Sequence, residues 1–493
     1  MFPYFFIYKQ NDSWLTQGQA SCFVGHKIEA PGSEKPDGIF AQWEWDGSSL
    51  RIMNDRYGMF PLFYIHTPTL FGISTSIPEL LKCGAPAQLD TEALGVFLRL
   101  GHFIKDETPF RYIRAMDSIK NCTWEDGNLV LEKQRPACKH QNISRDQAIE
   151  GYIEHFRSAI RKRIIRKYPC LLPLSGGQDS RHILFELLRN GIKPDECLTS
   201  NGHPSTSESD VEVAKMLAER FHLSHTVIRL PQPRFKLEQR KNELISFSAL
   251  EHAWYLSLGD YMRSQNIHTA YEGIGGDILS AGLFVDKNKL GLFRQGKYEL
   301  LAEHLMPEKK EILLQELIKP DIMKDMKREK AVAKLAEELQ NHTYAPNPVS
   351  SFYFWNRTRR SIALCPFALC NGVDYLYTPY LDKEVFDFLT SISGDIFVDS
   401  TFHRDTISQA FTEYIDIPYA SKNTVLVRGK AYYLKYLINL LLFMTHHRND
   451  MLNRGSMKRI IRMLRNSEYR KSMQGFALLT IYLNQISEYI NKT

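Results

Sequence analysis

The amino-acid sequence predicts an α/β protein made of a sheet-rich N-terminal part, a doubly wound parallel sheet and a helical C-terminal part. Three observations lead to this fold class. Short segments of alternating apolar and polar residues, separated by turn residues, fill the chain up to about residue 135. Helix-like and strand-like segments then alternate, which is typical of parallel sheets. Helical patterns dominate from about residue 286 onward.

The composition limits the class of protein. A chain of 493 residues with 43% hydrophobic and 24% charged residues is typical of a globular protein of two or three domains. No apolar run approaches the roughly 20 residues that a membrane-spanning helix needs, and the apolar start at 1–8 is too short for a secretory signal. The eight cysteines lack the paired spacing of disulfide frameworks and zinc sites. We therefore expect a cytoplasmic protein without a membrane partner.

The N-terminal part, residues 1–135, is predicted to be an antiparallel, sheet-rich domain. Alternating patterns predict strands over 38–45, 50–54 and 61–65, and Asp46-Gly-Ser-Ser supplies a turn between the first two. Polar residues fill 136–146 and predict a linker to the next part.

The second part, residues 146–425, is predicted to contain the doubly wound parallel sheet. The patterns predict helices over 146–167, 180–190, 208–222 and 246–265, and strands over 170–174, 196–200, 225–229 and 268–272. Such sheets bind ligands at the carboxyl ends of their strands. The residues that follow these strands are therefore the candidate site residues.

The loop that follows the first of these strands has the features of a pyrophosphate-binding loop. Its residues are Ser175, Gly176, Gly177, Gln178, Asp179 and Ser180. The two glycines lack Cβ atoms, so backbone N–H groups can approach phosphate oxygens, and the following helix directs its positive end at the same anion. Phosphate would repel Asp179, so we expect this carboxylate to hold Mg²⁺. A Walker loop would end in Gly-Lys-Ser/Thr, and that lysine does not occur here.

Two further strand ends carry candidate residues. Thr199 ends the second strand, where adenine or ribose would lie, although an ordinary loop explains that position equally well. Gly273, Gly275 and Gly276 follow the fourth strand and precede Asp277. Asp179 and Asp277 would lie on one rim and hold Mg²⁺ from two sides, and the alternative for Asp277 is a helix cap.

Several motifs together resemble those of the asparagine synthase family, over most of residues 36 to 425. The loop at 175–180 resembles the PP-loop of ATP pyrophosphatases, and 273–277 and 378–382 resemble two further family motifs in the same order and spacing. Segments 37–47 and 54–64 resemble late strands of its Ntn-type glutaminase domain, and 101–113 resembles the bridge between its domains.

The resemblance implies an activity and two catalytic residues. ATP and Mg²⁺ would be used to convert a carboxylate into an acyl-AMP with release of pyrophosphate, and an amine or ammonia would then form an amide. Asp179 would act with the metal, and Lys422 would stabilise the negative charge that develops at the α-phosphate and the tetrahedral centre. The second part would be the synthetase domain of such an enzyme.

The sequence departs from the family pattern in ways that concern the nitrogen source. Residue 2 is Phe where a working glutaminase domain has its nucleophilic cysteine, Cys22 is internal, and only about 35 residues precede the motif at Asp37. We therefore expect a degenerate glutaminase-like domain, as in β-lactam synthetases and lasso-peptide cyclases. Ile274 also occupies a position where relatives carry Glu or Tyr, and Glu272, His403 and Glu251 are the alternative candidates for a general base.

Two groups of basic residues are open to more than one interpretation. Arg357 and Arg360 would bind a substrate carboxylate or phosphate, or else lie on a plain helix surface. From Arg428 onward, the chain contains twelve Lys or Arg residues and three acidic residues. This basic helical extension, 426–493, would meet a carrier protein or a leader peptide, or form a solvated face.

The sequence leaves three alternatives to an intermolecular amide ligase. These are a cyclase that forms a lactam within a peptide or antibiotic precursor, a nucleobase-modifying enzyme, and a non-catalytic interaction protein. The absence of aromatic and basic interleaving speaks against nucleic acid as a partner. The expected partners are a small-molecule or peptide carboxylate and an amine or ammonia, and a homodimer is left open.

Overall fold

The architecture is taken from a computed structural model, which describes residues 2–28, 36–137, 139–165, 167–201, 208–230, 234–370, 372–421, 430–447, 450–453, 455–465 and 473–491. Within these residues the fold is mixed α/β, as the sequence predicts. Antiparallel sheets form the N-terminal part, a parallel sheet follows, and the C-terminal part is helical.

The N-terminal part contains two five-stranded antiparallel sheets, with strand orders β2-β1-β7-β6-β8 and β10-β9-β5-β4-β3. Every second residue along these strands tends to be buried. Ile7, Trp43 and Trp124 are examples, and they lie in one shared core, as in packed sheets. The strands are β1 Tyr4–Gln10, β2 Ser13–Gly18, β3 Ser21–Ile28, β4 Asp37–Trp45, β5 Ser49–Asn54, β6 Phe63–Thr67, β7 Leu70–Ser74, β8 Ile113–Ala115, β9 Ile119–Glu125 and β10 Asn128–Lys133, with helices α1 Ile77–Lys82 and α2 Thr91–Leu100.

The second part is built on a parallel five-stranded sheet of order β13-β12-β11-β14-β15. From β11 the sheet grows to one side through β12 and β13, and to the other through β14 and β15, so β11 and β14 flank a switch point where ligands bind. The elements are α3 Arg145–Lys162, β11 Cys170–Pro173, α4 Asp179–Arg189, β12 Glu196–Asn201, α5 Glu208–Arg220, β13 His225–Arg229, α6 Phe235–Leu244, α7 Trp254–Ser264, β14 Thr269–Tyr271, α8 Gly276–Leu279 and β15 Tyr375–Tyr377.

One predicted helix differs from the structure. The stretch 246–265 was expected to be a single helix, but α7 begins only at Trp254, and α6 ends at Leu244. Between them Ser246, Phe247 and His252 adopt positive φ values of 56°, 58° and 73°, which are incompatible with a right-handed helix. The apolar residues of this stretch are buried as a turn, which their helix-like spacing does not reveal.

The remaining chain is mostly helical, as predicted. None of the helices among the described residues is long and apolar enough to cross a membrane. The elements are α9 Lys287–Arg294, α10 Tyr298–Leu305, α11 Glu308–Leu317, α12 Pro320–Met323, α13 Arg328–Gln340, α14 Pro348–Tyr353, a π-helix Phe354–Ile362, α15 Leu364–Leu369, α16 Lys383–Thr390, α17 Phe402–Ala410, α18 Lys430–His446, α19 Gly455–Arg465 and α20 Met473–Asn491, with 3₁₀ turns at Pro379–Leu381, Gly394–Phe397 and Thr412–Tyr414.

Buried ion pairs join the N-terminal part to the second part. Asp117 of the first lies 3.4 Å from Arg359 of the second, with side chains 5% and 1% exposed. Arg163 at the end of α3 bridges Asp37 at 2.9 Å and Asp382 at 2.7 Å. Such pairs hold their partners in one geometry because each charge would be costly to bury alone.

Candidate active site

The loop after β11 turns at the switch point and is closed by its own hydroxyl groups. The N–H of Ser175 donates to Oγ of Ser180 at 3.0 Å, and the N–H of Gly177 donates to Oγ of Ser175 at 3.2 Å. The N–H of Gly176 donates to a carboxylate oxygen of Asp210 on α5 at 2.8 Å. This loop therefore binds an anionic oxygen with a backbone N–H, which is the interaction that a phosphate would need.

Asp179 stands at the first turn of α4 and is enclosed by the loop after β14. A Cβ on Gly276 would lie 2.7 Å from the carboxyl carbon of Asp179, and one on Gly273 would lie 2.9 Å from its Cβ. Between them Gly275 has a φ of 92°, which suits glycine. The glycines thus bring the two rim loops into contact around Asp179.

Asp277 and Asp179 share this rim. Burial and the negative charge of Asp179 raise the pKa of Asp277, while Arg357 opposes the rise. The Asp277 side chain is still 41% exposed, so it faces a space open to ligands. A cation between the two carboxylates would relieve their repulsion.

The donor set fits a Mg²⁺ that is shared with a nucleotide. Among the residues that the structure describes, no cluster of three or more His, Cys, Asp or Glu side chains is arranged to hold a metal alone. Mg²⁺ in nucleotide sites typically takes one or two carboxylates and completes its shell with phosphates and water. Asp179 and Asp277 would supply the two carboxylates, and the loop at 175–180 lies beside them.

Glu272, a candidate base, lies directly behind this rim. Its burial raises the pKa of the carboxyl to about 7, a rise that the hydrogen bond from Tyr255 opposes and the charge of Asp179 reinforces. The Tyr255 hydroxyl donates to Glu272 Oε1 at 2.8 Å. Of the other two candidates, His403 is completely buried and Glu251 is exposed. Ile274 is 4% exposed and carries no proton.

Arg357 is the arginine that the structure brings to the rim. Its Nη1 lies 3.8 Å from Oδ2 of Asp277, and its guanidinium carbon lies 5.1 Å from the ring centroid of Phe284. Phe284 has a φ of 71°, a conformation that bulky residues rarely adopt. Nη1 of Arg357 and Oε1 of Gln178, at the start of α4, are buried without hydrogen-bond partners among the described residues. Such groups suit a polar ligand.

Two predicted site residues have their side chains engaged elsewhere. Arg360 is 3% exposed and donates to the main-chain carbonyls of Lys105 and Glu107 in the bridge between the two parts, so it does not serve the rim. The Thr199 hydroxyl is buried and donates to the carbonyl of Leu174 at 2.7 Å, so it joins β12 to β11. Both side chains therefore join backbone segments of the fold to each other.

Lys422 lies outside the described residues, although the chain that leads to it is tied to the site. The N–H of Ala420 donates to the carbonyl of Gly176 at 3.1 Å. Arg181 on α4 donates to the carbonyl of Ile417 at 2.9 Å, and its guanidinium stacks over Tyr419. The described segment before Lys422 is therefore packed against the loop.

The sequence did not single out two polar residues that support the rim. The Tyr380 hydroxyl donates to the carbonyl of Asp179 at 2.9 Å. Asp210 accepts from Gly176, as given above. Tyr380 lies within the motif at 378–382, and Asp210 lies in the first turn of a helix that follows β12, so both positions carried a detectable signal.

Comparison with known proteins adds little to this geometry. No family model matches the sequence, and no curated protein matches it. Among solved structures, the chain is similar to the structure of NMN synthetase from Francisella tularensis, with 17% identity over 34% of this chain and 74% of that chain and a TM-score of 0.21. A likeness of this size carries no argument about function, which must rest on the site itself.

Proposed function

We propose that this chain is an ATP-dependent ligase that activates a carboxylate as an acyl-AMP and transfers the acyl group to ammonia or an amine. The observation that supports it best is the meeting of Asp179 and Asp277, from two strand ends, beside the glycine-containing loop. They meet at the switch point of a parallel sheet, where nucleotides bind in folds of this class.

In the first half-reaction, a carboxylate oxygen of the substrate attacks the α-phosphorus of ATP and pyrophosphate leaves with the electrons of the broken P–O bond. Backbone N–H groups of the first turn of α4 hold the pyrophosphate end. Asp179 and Asp277 would hold Mg²⁺, which would neutralise phosphate charge. Arg357 orients the substrate carboxylate, since its guanidinium faces the same rim.

In the second half-reaction, the amine attacks the activated carbonyl, loses a proton and displaces AMP. Glu272 is the base in this proposal, because a carboxyl with a pKa of about 7 accepts a proton near neutral pH. Lys422 stabilises the tetrahedral oxyanion in the same proposal.

The nitrogen in this proposal comes from outside the N-terminal part. Burial raises the pKa of Cys22 to about 11, so this internal thiol is not a ready nucleophile. Free ammonia and an amine, including one on the substrate itself, are the remaining sources. An amine on the substrate would make the enzyme a cyclase.

Product analysis tests the proposal. Wild-type protein is incubated with ATP, Mg²⁺ and a panel of amino acids, peptides and sugar acids, with ammonia as nitrogen donor, and we expect AMP and pyrophosphate in equal amounts. Asp179→Ala should lower the rate by about 100-fold or more, because electrostatic groups at a reaction centre contribute that much. Asp321→Ala, at a side chain that is 90% exposed, is the matched control and should not change it. ADP and phosphate as products, or equal rates for wild type and Asp179→Ala, would refute the proposal.

A further inference from the structure

A group of polar side chains lies beneath Asp179 in the protein interior. Its members are completely buried and come from four different elements. They are His182 on α4, Ser280 at the end of α8, Tyr380 in the 3₁₀ turn Pro379–Leu381, and His403 on α17. Buried polar groups persist only when they are hydrogen-bonded, so the pattern of their bonds identifies what they do.

His403 is the centre of this group. Its Nδ1 lies 3.3 Å from Oδ1 of Asp179 and 3.1 Å from Oγ of Ser280. Its Nε2 lies 3.1 Å from Nδ1 of His182. One nitrogen of the ring therefore lies beside the rim carboxylate, and the other nitrogen lies beside a second buried histidine.

The surrounding bonds determine which nitrogen of His403 carries hydrogen. The Ser280 hydroxyl donates to the carbonyl of Gly276 at 2.8 Å, so toward His403 it acts as an acceptor. An ionised Asp179 carboxylate can only accept. Nδ1 of His403 is therefore the donor, to Oγ of Ser280 at 3.1 Å with Oδ1 of Asp179 beside it at 3.3 Å, and one hydrogen lies between Nε2 of His403 and Nδ1 of His182. Burial and the nearby His403 lower the pKa of His182 well below its ordinary value, which keeps this second ring neutral.

We propose that His403 is a positioning residue: its Nδ1–H, held by Ser280, lies against Oδ1 of Asp179 and keeps this carboxylate in the orientation that binds the metal ion of the nucleotide, while His182 fixes the ring of His403. The inference rests on the proposed function, because it assumes that Asp179 binds that ion. Residues that orient a metal ligand through a hydrogen bond raise metal affinity even though they do not touch the metal. His403 thereby takes a different role from the general base that the sequence left open.

Manganese binding tests the inference without turnover. Mn²⁺ affinity is measured by electron paramagnetic resonance in the presence of a non-hydrolysable ATP analogue. His403→Phe keeps a ring but removes the donor, and we expect Mn²⁺ to bind about 10- to 100-fold more weakly, the range known for such supporting residues. His403→Asn places an amide N–H near the position of Nδ1 and should restore most of the affinity.

A matched control separates positioning from general damage to the core. His26, which is 4% exposed, packs against Tyr377 of β15 and does not belong to the group beneath Asp179. His26→Phe alters a buried histidine in the same way and should leave Mn²⁺ affinity unchanged. If circular dichroism shows that His403→Phe is unfolded, His403→Gln replaces it, since its amide reaches the position of Nε2 and leaves Asp179 without the donor.

The outcomes distinguish the inference from the proposed function. Equal Mn²⁺ affinity in wild type and Asp179→Ala would mean that the proposed metal site itself is wrong. A loss of affinity in Asp179→Ala together with unchanged affinity in folded His403→Phe or His403→Gln would overturn the inference alone. Equal affinities for His403→Asn and His403→Phe would also overturn it, because the donor would then have no effect.

Discussion

Gly273 and Gly276 determine how closely the two rim loops approach each other. Each lies against Asp179 at a distance that leaves no room for a Cβ atom. Neither has a positive φ, so they are required here for close approach. Because these two neighbours have no side chains, the Asp179 carboxylate can occupy its position.

We predict that Gly276→Ala lowers activity far more than stability. The added methyl group would lie 2.7 Å from Oδ1 of Asp179 and must push that side chain aside. A misplacement of about 1 Å at a reaction centre costs about 100-fold in rate. AMP formation and the melting temperature are measured together. Gly475→Ala on α20, where nothing lies within 4 Å, is the control and should be active. A fully active Gly276→Ala would show that the Asp179 position is not critical.

The sequence predicts the exposed half of this site and misses the buried half. Asp179 and Asp277 follow strands of one parallel sheet, and such strand ends meet at one edge, so their proximity was predictable. The Tyr380 hydroxyl contacts the main chain of Asp179, and His182 contacts His403. Both contacts depend on the packing of the folded core. His403 is 221 residues from His182 in the chain, and no spacing rule links them.

At the scale of elements, the π-helix Phe354–Ile362 connects the rim to the N-terminal part. Its wider turn directs Arg357 to Asp277 and Arg359 to Asp117. Arg360 reaches the carbonyl of Lys105 on the same side as Arg359. The sequence predicted a helix in this region but gave no sign that it is a π-helix. Such helices are rare, and they often occur at functional sites. The different partners of these three arginines were therefore not predictable from the sequence.

We predict that Arg357→Ala weakens binding of the acid and not of the nucleotide. A charge-assisted hydrogen bond contributes about 1.5–3 kcal/mol, so KM for the acid should rise about 10- to 100-fold. Affinity for a non-hydrolysable ATP analogue, measured by calorimetry, should stay close to that of wild type. Arg294→Ala, at an exposed arginine that pairs with Asp395, should change neither value. An increase in the nucleotide Kd of the same size would assign Arg357 to the phosphates instead.

At the scale of the whole molecule, the N-terminal part and the second part share buried charges. Asp117 receives Arg359 at 3.4 Å and Arg135 at 3.3 Å. Burial would raise the pKa of Asp117, but these arginines outweigh burial and hold the pKa at about 2. The sequence correctly indicated a sheet-rich part followed by an α/β part. It contained no sign of this interface, because the paired residues lie far apart in the chain.

We predict that Asp117→Asn destabilises the protein near neutral pH and much less in acid. Removing one partner of a buried pair costs about 3–5 kcal/mol. The folded pKa of about 2 lies below the unfolded value of about 3.9, so the stabilisation is complete above about pH 4 and is lost as pH falls toward 2. Urea unfolding at pH 7 and pH 2.5 measures it. Asp12→Asn, at a fully exposed side chain, is the control. A difference of equal size at both pH values would contradict the assigned ion pair.

The N-terminal part therefore matters even if it hydrolyses no glutamine. Arg163, Arg359 and Arg360 each find acceptors in it, from the carboxylates of Asp37 and Asp117 to the bridge carbonyls. Deleting it would remove these acceptors, although Arg163 would keep the carboxylate of Asp382. In this molecule, the N-terminal part supplies carboxylates and carbonyls that neutralise or solvate buried cations of the second part.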